Sequence, residues 1–223
     1  MADYKKPDYW QQKARKEGYP ARSVYKLKEI DEKFDLLKPR KGSLRVLDLG
    51  AAPGSWSLYV LRKTACAGGK DLKNQDSKNP NSINRFFLAA ADLSPLSREF
   101  DKGLFDGGNF FFIQGDITAA EVKEALLSKG PYSAVISDSA PATTGNHTVD
   151  AARSLELAET VIAYAQDALA GGGNLVLKIF QGGESGAILK QMKALFETAK
   201  SFKPEACRGE SVETYFIGVG KKV

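Results

Sequence analysis

Short apolar runs recur along the chain, and most of them close on an acid or a glycine turn. Residues 44–49, 86–91, 110–113, 134–137, 175–180 and 214–219 read as strands. Helical stretches separate most of them. One runs from Ser23, its expected cap, to about Asp35, with Val24, Leu27, Ile30 and Phe34 as its apolar stripe. Others cover 57–64, 119–128, 150–169 and 187–199, and Gly171-Gly172-Gly173 is the expected stop of the longest. Strands alternating with helices predict an α/β fold, a mostly parallel sheet with helices on both faces. Continuous apolar strands suit a sheet covered on both sides.

At 223 residues the chain exceeds the ~150 residues typical of a domain by too little for a second one. The expected organisation is a basic, mobile or loosely packed arm over 1–22 and one domain over 23–223. Within it the polar Gly/Asn/Lys-rich stretch 66–85 reads as a surface insertion. The first 45 residues hold 13 Lys/Arg against 7 Asp/Glu, more than the whole +5 excess. Tyr4, Tyr9, Trp10, Tyr19 and Tyr25 interleave with these cations. Cations neutralise phosphates and rings stack on bases, so this end suits nucleic acid; a solvated arm is the alternative.

Several chemistries are excluded. Cys66 and Cys207 lie far apart and His147 is the single histidine, so no Cys/His metal cluster forms and no metal is expected. His147 has no GxSxG partner for a serine triad. No run approaches the ~20 apolar residues of a membrane span, and no apolar signal core opens the chain. A cytoplasmic protein without membrane contact is expected.

The sharpest local feature is VLDLGAAPGSWS, residues 46–57. A strand ends at Asp48-Leu49-Gly50, a turn through Ala51, Ala52, Pro53 and Gly54 follows, and a helix opens near Trp56. Glycine lets a ligand approach the backbone, and a helix start offers free N–H groups. Pro53 removes one such donor, which disfavours a pyrophosphate and favours an adenosyl group with an amino-acid tail. Asp92 ends the next strand, where a carboxylate holds ribose hydroxyls. Asp116 ends the third and is placed to face an adenine amino group.

Two further positions stand out. Lys178 lies inside the apolar run LVLKIF, where a charge is costly unless paired. Asp138 ends the preceding strand, so the two should meet at the carboxyl edge of the sheet. Perturbed pairs of this kind tend to mark active sites.

SVYKLKEID, VLDLGAAPGSWS, ISDSAPATTG, LVLKIFQGG and RGESVETYFIG occur in one order, and with them residues 9–220 resemble the FtsJ-like RNA 2′-O-methyltransferases. The resemblance implies a Rossmann-like methyltransferase fold with a mostly parallel seven-stranded sheet. It implies S-adenosylmethionine as cofactor, held by Asp48, Gly50–Gly54, Trp56, Asp92, Leu93, Asp116, Ile117 and Asp138. It also implies a catalytic Lys26, Asp138, Lys178 and Glu213. Lys26 rather than Lys28 is the match, since Lys28 lies farther from the apolar stripe. Lys178 is then the base that takes a proton from a ribose hydroxyl; burial and Lys26 favour its neutral form and Asp138 opposes it. The expected acceptor is a uridine of large-subunit ribosomal RNA within the subunit, with tRNA or an mRNA cap as alternatives, and the enzyme is expected as a monomer. The chain departs from the family's usual DMAPNxSG at Ser139 and Ala142, and has Ser55 where a second glycine is frequent.

Overall fold

The computed structural model describes residues 8–39, 42–71, 86–182 and 185–223, with 66–71 described by backbone alone. In chain order the elements are α1 (Tyr9–Lys16), α2 (Val24–Phe34), β1 (Leu44–Leu49), α3 (Ser55–Asp71), β2 (Phe86–Asp92), β3 (Phe110–Gln114) and α4 (Ala120–Leu127). There follow β4 (Tyr132–Ser137), α5 (His147–Ala168), β5 (Leu169–Phe180), α6 (Ser185–Leu195), β6 (Phe196–Phe202) and β7 (Glu213–Lys221).

The strands form one seven-stranded sheet in the order β3-β2-β1-β4-β5-β7-β6. β1 to β5 run parallel; β7 is antiparallel to both β5 and β6. The order reverses between β1 and β4, and such a switch point opens a crevice at the strands' carboxyl ends.

Side chains alternate across the sheet, and the alternation sorts the core into two layers. Leu47, Leu49, Val135, Leu175, Leu177 and Ile179 pack under α4, α5 and α6. Val46, Ile136, Val176, Tyr215 and Ile217 pack on the other face against Leu27 and Ile30 of α2 and Trp56, Leu58 and Leu61 of α3. The expected α/β architecture with both faces covered is therefore present.

Several local expectations change. Residues 8–20 are not a loose arm. α1 is capped by Asp8, Ala14 is fully buried, and Arg22 reaches both the Asp8 carboxylate and the Ala206 carbonyl. Ser23 does not cap α2. Its backbone is already helical, because the preceding turn places the Ala21 and Arg22 carbonyls on the first free N–H groups. α3 runs on to Asp71, into the stretch read as an insertion, and residues 72–85 lie outside the described residues.

The Gly171–Gly173 run does not stop a helix in a loop. α5 is capped by Asn146, ends at Ala168 and passes directly into β5. Pairing with β4 then slips from Tyr132↔Leu169 to Ala134↔Asn174. The glycines absorb that irregularity: Gly172 has φ +77°, and a Cβ on Gly173 would stand 2.7 Å from the Leu169 side chain. The helix expected over 187–199 ends at Leu195, and residues 196–202 form edge strand β6. The polar ETAKS segment has little strand preference of its own; pairing along the whole outer edge of β7 decides its state.

Candidate active site

Parity along the strands positions the charged cluster. Lys178 has the parity of Val176, Asp138 that of Ile136, and Glu213 that of Tyr215 and Ile217, so all three face the α2 side. There α2 presents Lys26, which is buried at 8% exposure, whereas Lys28 is exposed. Lys26 Nζ lies 2.7 Å from Glu213 Oε1, and Lys178 Nζ lies 3.1 Å from Asp138 Oδ1. Lys178 also donates to the Asp138 carbonyl. Lys26, Asp138, Lys178 and Glu213 thus converge from four elements.

The cluster is a neutral set of two cations and two anions, all largely shielded from water. Buried charges persist when each has a partner and its remaining lone pairs are used. Burial alone would raise the Asp138 carboxyl; the nearby charges of Lys178 and Lys26 and a hydrogen bond from Tyr215 outweigh it and hold the group below its usual range. The Tyr215 hydroxyl donates to Asp138 Oδ1 at 2.6 Å, and its ring lies 5.8 Å from Lys26 Nζ. Burial, then the charges of Asp138 and Glu213, push that hydroxyl well above its usual range, so it stays a donor. Cys207 lies against Glu213, and burial followed by that charge pushes its thiol up to about 12. It is therefore an inert neighbour.

Tyr215 went unselected in the sequence although a signal was present. Glu213 and Tyr215 are two residues apart on one strand, so a functional Glu213 brings Tyr215 to the same face.

A cleft of about 620 Å³ opens beside Asp138 at the switch point. Its walls include Gly50, Ala52, Asp92, Leu93, Asp116 and Ile117. Gly50 is required here: its φ is +75°, and a Cβ would fall 2.2 Å from Ser139 Oγ and 2.8 Å from Ser139 Cα. Asp92 accepts from Ala52 N (2.9 Å) and Ser94 N (2.8 Å), which ties β2 to the turn. Asp116 accepts from the Thr118 N–H and hydroxyl, and these bonds hold it below the usual carboxylate range.

Asp48 lies beneath the turn rather than on the cleft wall. Its Oδ2 accepts from Ser57 Oγ at 2.6 Å, and its Oδ1 has no partner. Burial pushes its carboxyl up to about 7, against the Ser57 hydrogen bond.

Ala51, Pro53, Gly54 and Trp56 shape the turn without lining the cleft. The Trp56 ring is buried against Tyr215, 6.0 Å between centroids, and its indole N–H donates to the Ser23 carbonyl at 2.8 Å. Ser55 both accepts from Ala21 N (2.8 Å) and donates to its carbonyl (3.2 Å). Through Ser55 and Trp56 the turn fastens the start of α2, and so sets the position of Lys26.

A second pocket, about 380 Å³, lies on the far side of Ala140 and is lined by Lys178, Glu213, His147, Phe180 and Gln181. Ala140 is common to both cavities. The charged cluster therefore stands between two cavities and opens to each, a placement that suits transfer of a group from one occupant to another.

Part of the aromatic set at the basic N-terminal end is turned inward rather than toward solvent. Tyr25 is buried, Arg62 covers Tyr19, and Lys13 lies over Trp10 and Tyr25 at 5.2 and 4.8 Å from the ring centroids. Tyr9, at 68% exposure, and exposed Arg15 and Lys16 face solvent; Tyr4 lies outside the described residues.

The FtsJ-like methyltransferase family model matches residues 19–221. Ribosomal RNA large subunit methyltransferase E of Treponema denticola is 47% identical over 219 residues, covering 98% of this chain and 97% of that protein. The proteins of the same name from Oleidesulfovibrio alaskensis and Borreliella afzelii are 43% and 40% identical, over 96% and 95% of this chain and 92% and 96% of theirs. A crystal structure of a Plasmodium falciparum ribosomal RNA methyltransferase shares the fold, with a TM-score of 0.67 at 24% identity, over 91% of this chain and 98% of that one.

Proposed function

The chain belongs to the FtsJ-like methyltransferase family, and from that premise we propose that it methylates the 2′-hydroxyl of a ribose in large-subunit ribosomal RNA, on a uridine, with S-adenosylmethionine as donor. The observation that carries the reading is the pair of ion pairs, Lys26–Glu213 and Lys178–Asp138, standing between two cavities. The names of the bacterial relatives support the substrate class.

The larger cleft suits the donor. Gly50 leaves the backbone open to close approach, Asp48 keeps one oxygen without a partner beneath it, and carboxylates stand at two further strand ends. The backbone at Gly50 and Ala52 would hold the amino-acid end, in a turn that Asp48, Ala51, Pro53, Gly54 and Trp56 shape from behind. Asp92 would hold the ribose hydroxyls; Leu93, Asp116 and Ile117 would hold the adenine. When bound, the sulfonium supplies an electrophilic methyl group.

The smaller pocket takes the acceptor nucleoside, with its 2′-hydroxyl toward Lys178 and Glu213. Lys178 is the group placed to take the hydroxyl proton. Lys26 stabilises negative charge growing on the oxygen, and Glu213 holds Lys26 in place. The enzyme is proposed to act as a monomer. A ribosomal substrate supports a cytoplasmic setting; among the described residues no helix is long and apolar enough to cross a membrane.

Labelled S-adenosylmethionine offered with large ribosomal subunits, naked ribosomal RNA, tRNA and capped RNA tests the reading. The expected product is one uridine in the subunit that resists alkaline cleavage. Label in tRNA or cap alone would overturn the substrate, and label in no RNA would overturn the reaction.

A further inference from the structure

We propose that a third cavity, between the first turns of α5 and the strand end Ile179–Gly182, binds the base of the nucleotide adjoining the one that is methylated. This rests on the acceptor pocket assigned above and adds a second contact to the same RNA.

The cavity measures about 480 Å³, within the range of small-molecule sites. It shares His147, Ala151, Phe180 and Gln181 with the acceptor pocket, so the two are separated by a common wall. A nucleotide seated against Lys178 has its chain neighbours one phosphate away, and one of them meets that wall.

The described lining suits a base. Leu155, Ile179 and Phe180 offer apolar faces, while His147, Thr148 and Gln181 offer hydrogen-bonding edges. No Lys, Arg, Asp or Glu lines it among the described residues. A flat group with apolar faces and polar edges suits such walls, and RNA-binding folds read splayed bases by stacking and edge hydrogen bonds. His147, the chain's one histidine, has no part in the methyl transfer and finds one here.

Backbone hydrogen bonds hold the strand end beside the helix. Phe180 N–H donates to Ser154 Oγ and Gln181 N–H to the Val212 carbonyl, both at 2.9 Å. At Gly182 a Cβ would stand 2.9 Å from the Ala151 Cβ, so strand end and helix are in close contact.

Ala152 lines this cavity but not the acceptor pocket, and it is exposed. Ala152→p-benzoylphenylalanine, irradiated on large ribosomal subunits, should crosslink the nucleotide immediately 5′ or 3′ of the methylated one, as mapped on the same RNA after wild-type reaction. Ala152→Trp, which fills the cavity, should raise KM for the subunits ~10-fold, comparable to loss of one stacked base, and keep kcat within about twofold. A crosslink two or more nucleotides away, or an unchanged KM in Ala152→Trp, overturns the inference while wild-type methylation leaves the reaction standing. Failure of the wild type to methylate RNA overturns both.

Discussion

Tyr215 stands opposite Lys178 in the β5–β7 register, and its hydroxyl donates to Asp138 Oδ1 at 2.6 Å. One residue of β7 thus fixes the carboxylate that pairs with the lysine beside it. Tyr215→Phe keeps the ring between Trp56 and Lys26 and removes only the hydroxyl. A hydrogen bond to a buried charge contributes about 1.5–3 kcal/mol, so unfolding stability should fall by that order. Single-turnover methyl transfer should slow ~10-fold, equivalent to ~1.4 kcal/mol in the barrier. A wild-type rate would show that Asp138 holds its place without the tyrosine.

Lys178→Met separates chemistry from folding. Removing one partner of a buried ion pair typically destabilises by about 3–5 kcal/mol, because the other charge is left uncompensated. Asp138 would be that charge. Methyl transfer should fall by ~10²–10⁴, the usual contribution of a general base, while S-adenosylmethionine binding measured by calorimetry stays near wild type. Adding Asp138→Asn should restore much of the stability and none of the transfer. Normal turnover by Lys178→Met would remove the lysine from the mechanism.

Much of this geometry was legible as parity. Val176 to Lys178, Ile136 to Asp138 and Tyr215 to Glu213 are each one period of two, so strand assignment alone sends the three charged residues to one face. The apolar stripe of α2 then told Lys26 from Lys28. Pairing decided the rest, and a single sequence does not display pairing. β6 exists because the outer edge of β7 needs partners, which ETAKS does not announce. Trp56 reads as a ligand contact from its place in the turn, yet its indole bonds Ser23, 33 residues earlier in the chain. Gly171–Gly173 reads as a helix stop because glycine serves helix ends and strand irregularities equally well.

Asp48 gives the fold a pH dependence of known sign. Its folded-state carboxyl is pushed up to about 7 by burial, from an ordinary value of 3.8. The folded state therefore holds a proton that the unfolded chain releases between those values. Its contribution is fully present below pH 3.8 and is lost as pH rises toward 7, by roughly 4 kcal/mol at most. Asp48→Asn removes that titration. The wild type minus the variant, followed by urea unfolding in the absence of ligand, should decline from pH 4 to pH 7 and flatten above it. A constant difference over that range would place the Asp48 titration elsewhere.

Arg15 and Lys16 carry the solvent-facing charge at the end of α1, with Arg15 meeting Glu99 only at 3.7 Å. Exposed pairs at that distance contribute little to stability, so both cations are free to meet phosphate. Lys13 is a poorer probe, since it lies over Trp10 and Tyr25 and its loss would disturb α1. Arg15→Ala with Lys16→Ala should leave thermal unfolding within a degree or two. Each phosphate contact contributes about 0.7 to the salt slope for single-stranded RNA, so the double variant should lower the slope of log K against log salt by about 1.4. Methyl transfer at saturating RNA should match the wild type, because neither side chain reaches the cluster around Lys178. An unchanged slope in a filter-binding titration would place the RNA path on another face of the domain.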